Sequence, residues 1–157
     1  MDKLLELLEQ DCSMTTEQLA TIAGMSEADV KAAIHKYEEE RVILGYKAII
    51  DWDRVHKEAV TALIEVNVVP QSADGFDRIA ERIYQYDEVE SMYLMSGAFD
   101  LTVIISGRTL REVANFVTQK LSTIDAVQST ATHFILKKYK DHGTVMAEQP
   151  KDERIEM

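Results

Sequence analysis

Residues 15–37 run Thr15-Thr16-Glu17-Gln18-Leu19-Ala20-Thr21-Ile22-Ala23-Gly24-Met25-Ser26-Glu27-Ala28-Asp29-Val30-Lys31-Ala32-Ala33-Ile34-His35-Lys36-Tyr37. Two helix starts lie in this stretch. Thr15 with Gln18 three residues later makes a capping box, which predicts a short helix with Leu19, Ile22 and Ala23 facing inward. Gly24 can take the left-handed conformation that stops that helix. Ser26 then caps a second helix with an acidic first turn. Val30, Ala33, Ile34 and Tyr37 fall at i, i+3, i+4 and i+7, so one stripe of this helix is buried, and Lys31, Ala32, His35 and Lys36 lie largely away from it. Only Ala23-Gly24-Met25-Ser26 joins the two helices, and a tight turn containing Gly between short helices is a helix-turn-helix.

Upstream, Leu4, Leu5, Leu7 and Leu8 cluster at helical spacing, and Asp11-Cys12-Ser13-Met14 ends that helix. Downstream, Val42 to Ile50 is β-branched and aromatic around Gly45, which predicts a small hairpin, or wing. Asp51 to Ala59 is charged and weakly patterned, as a linker would be. Strand and helix patterns then alternate. Val60 to Val69 reads as a strand ended by Pro70, Ala73 to Tyr86 as a helix carrying Phe76, Ile79, Ala80 and Ile83, and Val89 to Met95 as a strand. Gly97-Ala98 turns into a strand over Phe99 to Ile105. Leu110, Val113, Ala114, Val117 and Leu121 mark a further helix, and Val127 to Tyr139 a closing long strand. The order β-α-β-β-α-β is the split ferredoxin-like unit. With both helices on one face of a four-stranded sheet, the other face needs a partner, and a second copy of the chain is the simplest one. The tail from 140 to 157 is polar and without periodicity, so it is expected to be mobile or loosely docked. The fold class is therefore α+β, divided as a winged helix-turn-helix over 1–50, a linker over 51–59, a ferredoxin-like domain over 60–139 and the tail.

Composition narrows the chemistry. The chain has 157 residues and a formal charge of −11, with one cysteine, Cys12, which excludes an intrachain disulfide and a Cys-rich zinc ribbon. The N-terminus lacks the apolar core of a signal peptide, and no apolar stretch reaches the ~20 residues that span a bilayer. A soluble protein of the reducing cytoplasm, with no membrane partner, is expected. His35, His56, His133 and His142 show no metal-ligand spacing, so no metal or other cofactor is expected. No nucleophile or phosphate-loop motif is present, which argues against an enzyme.

Two places could carry function. A recognition helix presents its N-terminal residues to base edges in the major groove. Ser26, Glu27 and Lys31 hold those positions here, with His35 and Lys36 one turn on. Lys36 and Lys47 suit phosphate, and Glu27 suits cytosine N4. The same residues also read as ordinary surface charges of a small helical domain. The second place is Ser96-Gly97-Ala98-Phe99-Asp100-Leu101. Exposed backbone N–H groups at Gly97 can hold a carboxylate and Asp100 an ammonium, which fits a zwitterionic amino acid. Thr130 and Thr132 alternate on the last strand and point to one face. From local chemistry alone, a plain β-turn with a solvated Asp and two strand threonines is the favoured reading.

The chain resembles the Lrp/AsnC family, the feast/famine transcription regulators. Four pieces carry the likeness over about Asp2 to Lys138. They are Thr16-Glu17-Gln18-Leu19-Ala20 leading into Gly24-Met25-Ser26; Tyr37-Glu38-Glu39-Glu40-Arg41-Val42-Ile43-Leu44-Gly45-Tyr46, similar to the family's exit from its recognition helix; Ser96-Gly97-Ala98-Phe99-Asp100-Leu101; and Val127 with Thr130, Thr132 and Lys137-Lys138. The resemblance implies a regulator of double-stranded DNA that pairs through its sheets into dimers and assembles further, to an octamer. It also implies a free amino acid as effector, held between dimers near Gly97, Ala98 and Asp100, with Thr130 and Thr132 as further contacts. Arg41 stands where the family pattern has Gly, which implies a different end to that helix. The alternative function is a sensing module that has lost DNA binding and acts on a protein partner. The charge distribution bears on that choice: residues 1–59 sum to −6, 60–138 to −3 and 139–157 to −2, so the acid excess is greatest in the helical part.

Overall fold

The computed structural model describes residues 2–55, 59–69 and 75–146. Pro70 as a strand stop, a helix start at Ala73, His56 and the tail beyond Met146 lie outside them. The chain divides between Ala48 and Ile49 into two compact units.

The first unit holds α1 (Lys3–Gln10), α2 (Thr16–Ala23) and α3 (Glu27–Glu39). The capping box forms as the sequence predicts, with the Thr15 side chain accepting from Gln18 N–H and the Gln18 side chain accepting from Thr15 N–H. Gly24 closes α2 at φ +70. The core is Leu4, Leu19, Ala20 and Val30, with Ala33, Ile34 and Tyr37 packed against it. Ile22, expected inside, is 44% exposed, and Ala20 takes its place. The Tyr37 hydroxyl donates to the Asp2 carboxylate and so ties the start of α1 to α3.

No wing forms among the described residues. Residues 42–43 bend back at the end of α3 and 44–50 form no strand, and Val42, Leu44, Tyr46, Ile49 and Ile50 are exposed. A β-branched run satisfies a strand's side-chain preferences, but a strand also needs a ladder partner. No described segment supplies one here. Beyond that bend the Tyr46 hydroxyl turns back to α3, donating to Glu38 at 3.0 Å. The helix end at Arg41 also differs from the sequence expectation. Arg41 adopts φ +56, so the left-handed turn suited to glycine is made by arginine. A single 3-10 turn, Asp53–Val55, follows in the segment read as a linker.

The second unit contains β1 (Val60–Val68), α4 (Gly75–Tyr84), β2 (Val89–Leu94), β3 (Leu101–Gly107), α5 (Leu110–Phe116) and β4 (Val127–Phe134). The sheet order is β2-β3-β1-β4 with every pair antiparallel, the ferredoxin-like arrangement. Alternation decides which side is buried. Ala62, Ile64, Val66 and Val68 of β1 join Leu101, Val103 and Ile105 of β3 beneath Ile79, Ile83, Val113 and Phe116 of the helices. At ~25 cal/mol per Å² of apolar surface, this layer is the main stabilising element of the unit. Leu63, Glu65, Ile104 and Tyr93 take the opposite, uncovered face, as the register shows.

Three details depart from the sequence reading. A wider, π-type turn, Val117–Leu121, continues α5 and rotates the residues after it. Leu121 and Ile124 are buried after it and Phe116 before it, whereas Leu110, read as part of the apolar face, is 58% exposed. β4 stops at Phe134 rather than Tyr139, and Leu136 stands 96% exposed. The described start of the tail is a small hairpin of β5 (Lys140–Asp141) and β6 (Thr144–Val145), turned by His142 and Gly143 at positive φ, rather than structureless chain.

Candidate functional site

The first candidate surface is the outer face of α3. Ser26 begins it, accepting from Asp29 N–H at 3.1 Å while its hydroxyl donates to the Asp29 carboxylate at 2.6 Å. That hydroxyl is engaged in the cap, so its free lone pair is what remains for a ligand. Lys31, His35 and Lys36 lie largely away from Val30, Glu27 sits beside it at i−3, and all four are exposed. Two of these basic side chains are already engaged. His35 Nε2 lies 3.3 Å from Glu39, and Lys36 Nζ lies 3.8 Å from Glu40. Exposed i, i+4 pairs of this kind contribute only about 0.3–0.5 kcal/mol, so a phosphate can displace the carboxylates. Lys31 and Lys47 form no ion pair among the described residues. The sequence reading passes over Glu39 and Glu40, although their i, i+4 spacing to His35 and Lys36 is the signal for these pairs. Ile22 and Met25, flanking the turn, are also part-exposed apolar side chains.

The second candidate lies at the end of β1. The Ser96–Asp100 turn leads into β3, and Asp100 is bound there by three hydrogen bonds. Its N–H donates to Val66 O at 3.1 Å, its carbonyl accepts from Met95 N–H at 2.8 Å, and Oδ2 accepts from Val68 N–H at 2.9 Å. Asp100 is thus not a freely solvated side chain: one carboxylate oxygen satisfies β1 where the strand leaves its ladder with β3. No described donor is bonded to Oδ1. Thr130 pairs across β4 with Val66, and Thr132 with Ile64. Both threonines therefore share the helix-bearing side of the sheet, and Thr130 and Asp100 flank the same β1 residue on opposite sides. Gly97 and Ala98 are exposed at the tip. Gly97 does not use the backbone freedom the sequence attributes to it. It is not in the left-handed region, and a Cβ there would meet nothing within 4 Å.

A cavity of about 230 Å³ opens at the other end of β3, lined by Glu88, Gly107, Glu112, Asn115, Gln119 and Lys120 among others. Its ammonium is already engaged. Lys120 bonds the Glu88 carboxylate and sits 4.8 Å above the Tyr86 ring. The Lys120 hydrogen bond holds the Glu88 carboxyl below its ordinary pKa, against a smaller opposing effect of burial. Among the described residues no three His, Cys, Asp or Glu side chains gather to hold a metal ion, and no helix is long and apolar enough to cross a membrane.

Residues 61–145 match the family described as the Lrp/AsnC ligand binding domain. Over 154 residues the chain is 50% identical to an uncharacterized HTH-type transcriptional regulator, YugG, of Bacillus subtilis, covering 98% of this chain and 93% of that protein. Among solved structures it is similar to a feast or famine regulatory protein from M. tuberculosis complexed with L-methionine. The TM-score is 0.71 at 25% identity, over 88% of this chain and 90% of that one. A transcriptional regulator from Neisseria meningitidis, also in complex with L-Met, matches in fold with a TM-score of 0.72 at 21% identity, over 90% and 93%.

Proposed function

Because the chain belongs to the Lrp/AsnC family of transcription regulators, we propose that it binds double-stranded DNA through α2 and α3 and responds to a free amino acid held by its sheet-bearing unit. The observation that carries this reading is the capped α2–α3 pair, turned at Gly24 and presenting an exposed outer face of α3. In the DNA-bound state Ser26, Glu27 and Lys31 face base edges, and His35, Lys36 and Lys47 face phosphates. In the liganded state Asp100 Oδ1 receives the ammonium, the N–H groups about Gly97 and Ala98 receive the carboxylate, and Thr130 and Thr132 add hydroxyl contacts. The two L-methionine complexes among the similar structures support an amino acid as the ligand class. The uncovered sheet face, with Leu63, Ile104 and Tyr93, supports pairing with a second copy. Assembly of dimers to an octamer is the arrangement through which ligand binding would alter operator binding, by favouring one of two assembly states. The role is regulatory rather than enzymatic, and the setting cytoplasmic.

A gel-shift assay on DNA upstream of its own gene, at low salt, tests the reading. Retardation that changes with one or more amino acids is expected, and none at any salt refutes it. A thermal-shift panel of the twenty amino acids finds the ligand, since one at 100 times its Kd stabilises by about 2.7 kcal/mol if it binds only the folded state.

A second reading is favoured by the His35–Glu39 and Lys36–Glu40 pairs and the acid excess of residues 1–59: a sensing module acting on a protein partner. The double variant Lys31→Glu, Lys36→Glu separates the two. A DNA-binding regulator loses retardation while staying folded.

A further inference from the structure

We propose that Arg41 is a contact to the DNA backbone, held at the exit of the recognition helix by a turn that its own side chain strains. The assignment rests on the DNA-binding reading above. Arg41 sits at φ +56, where the Cβ of an L-residue crowds the following carbonyl. Among the described residues only His142 shares that region without being glycine. The turn is fixed by its hydrogen bonds. Arg41 N–H donates to Glu38 O at 3.1 Å, while Val42 N–H and Ile43 N–H both donate to Tyr37 O, at 2.8 and 3.0 Å. Glycine would close α3 in the same way without the crowding.

The Arg41 side chain returns nothing to the fold that offsets this. It is exposed, and it forms no ion pair or hydrogen bond with the described residues, although Glu38, Glu39 and Glu40 directly precede it. His35 and Lys36, by contrast, are tied to carboxylates on their own helix. Among the described residues, the unpaired cations of α3 and its exit are therefore Lys31 near the start and Arg41 at the end. A strained residue with no internal compensation points to a gain outside the chain. Helix length says where. Thirteen residues at 1.5 Å each span about 20 Å, against a major groove about 12 Å wide. With the first turn of α3 at base edges, its far end reaches the bordering phosphates. A guanidinium there makes the paired N–H contacts to phosphate that a lysine cannot.

The test uses the full chain and a labelled duplex of mixed sequence, about six helical turns long, because a phosphate contact is independent of sequence. Arg41→Gly and Arg41→Gln are compared with wild type by fluorescence anisotropy across salt. Arg111→Gln, the same charge change at an exposed position of α5, is the control. Both Arg41 variants are expected to bind about three- to ten-fold more weakly, with a salt slope shallower by about 0.9 for each phosphate no longer neutralised. Arg41→Gly is expected to melt a few degrees higher than wild type, so that stability and binding move in opposite directions. The proposal is overturned if the Arg41 variants keep wild-type affinity and slope, if Arg111→Gln weakens binding equally, or if Arg41→Gly lowers the Tm. A wild type that binds no duplex at any salt refutes the regulator reading itself, and is seen before any variant is compared.

Discussion

Asp100 holds the end of β1 and, in the proposed function, also receives a ligand's ammonium, and two substitutions separate these roles. Its Oδ2 accepts from Val68 N–H at 2.9 Å, and Val68 is 6% exposed, so water is a poor substitute acceptor. Asp100→Ala leaves that N–H without its acceptor. A hydrogen bond to a charged group contributes roughly 1.5–3 kcal/mol, and the stranded donor adds to the loss, so about 2 kcal/mol is expected. For a cooperative unit of about one hundred residues this lowers the Tm by about 10 °C. Asp100→Asn keeps an oxygen for Val68 and should cost well under half as much. It removes the negative charge that the proposed function sets against an ammonium, however, so amino-acid affinity should fall by about 10- to 100-fold in both variants. Differential scanning calorimetry reads the first effect, and isothermal titration with the amino acid found by thermal shift reads the second. An Asp100→Ala protein as stable as wild type refutes the strand-end role. An Asp100→Asn protein with wild-type affinity refutes the ammonium role.

Two further outcomes are expected. Val30 is 0% exposed at the centre of the three-helix core, so Val30→Ala should destabilise the first unit by about 2 kcal/mol, visible as an earlier loss of helical circular dichroism; an unchanged melt contradicts that packing. Glu88 has its folded pKa lowered by Lys120, so its contribution to stability is present above the ordinary glutamate value of about 4.3 and is lost as pH falls through the lowered one. Both side chains of that pair are about a third exposed, so the effect is small, under about 1 kcal/mol. Glu88→Gln should melt slightly below wild type at neutral pH and equal to it in strong acid; a gap that persists in acid excludes the pair as its source.

Local chemistry made much of the fold readable. Thr15, Gln18, Gly24 and Ser26 each act on neighbours within four residues, so their caps and turn are visible in the chain itself. The alternation of Ala62, Ile64, Val66 and Val68 gave β1 its buried face in the same way. Features that depend on distant partners were not readable. Val42 to Ile50 has the composition of a strand, yet nothing in those residues says whether a ladder partner exists. The π-type turn at Val117–Leu121 displaces the apolar stripe without a Pro or Gly to announce it. The candidate site was legible by residue type and not by role. Asp100 was visible as a charge beside a glycine, but its bond to Val68 spans 32 positions. That Thr130 and Thr132 alternate was plain; that they share the helix side follows only from their pairing with Val66 and Ile64.

The sheet order also has a consequence in time. β1 is made first and sits between β3 and β4, and the last of its partners, β4, ends at Phe134. Ribosomes add about 5–20 residues per second, so roughly 4–15 s pass between the synthesis of β1 and that of its final neighbour. Until β3, ending at Gly107, covers one edge and β4 the other, Ala62, Ile64, Val66 and Val68 are an apolar ribbon with at least one unpaired edge, while the helices of the first unit, whose packing is local in sequence, can already be folded. The nascent chain is therefore most vulnerable to misassociation midway through its synthesis, and a chaperone that engages it would find its target in residues 60–68.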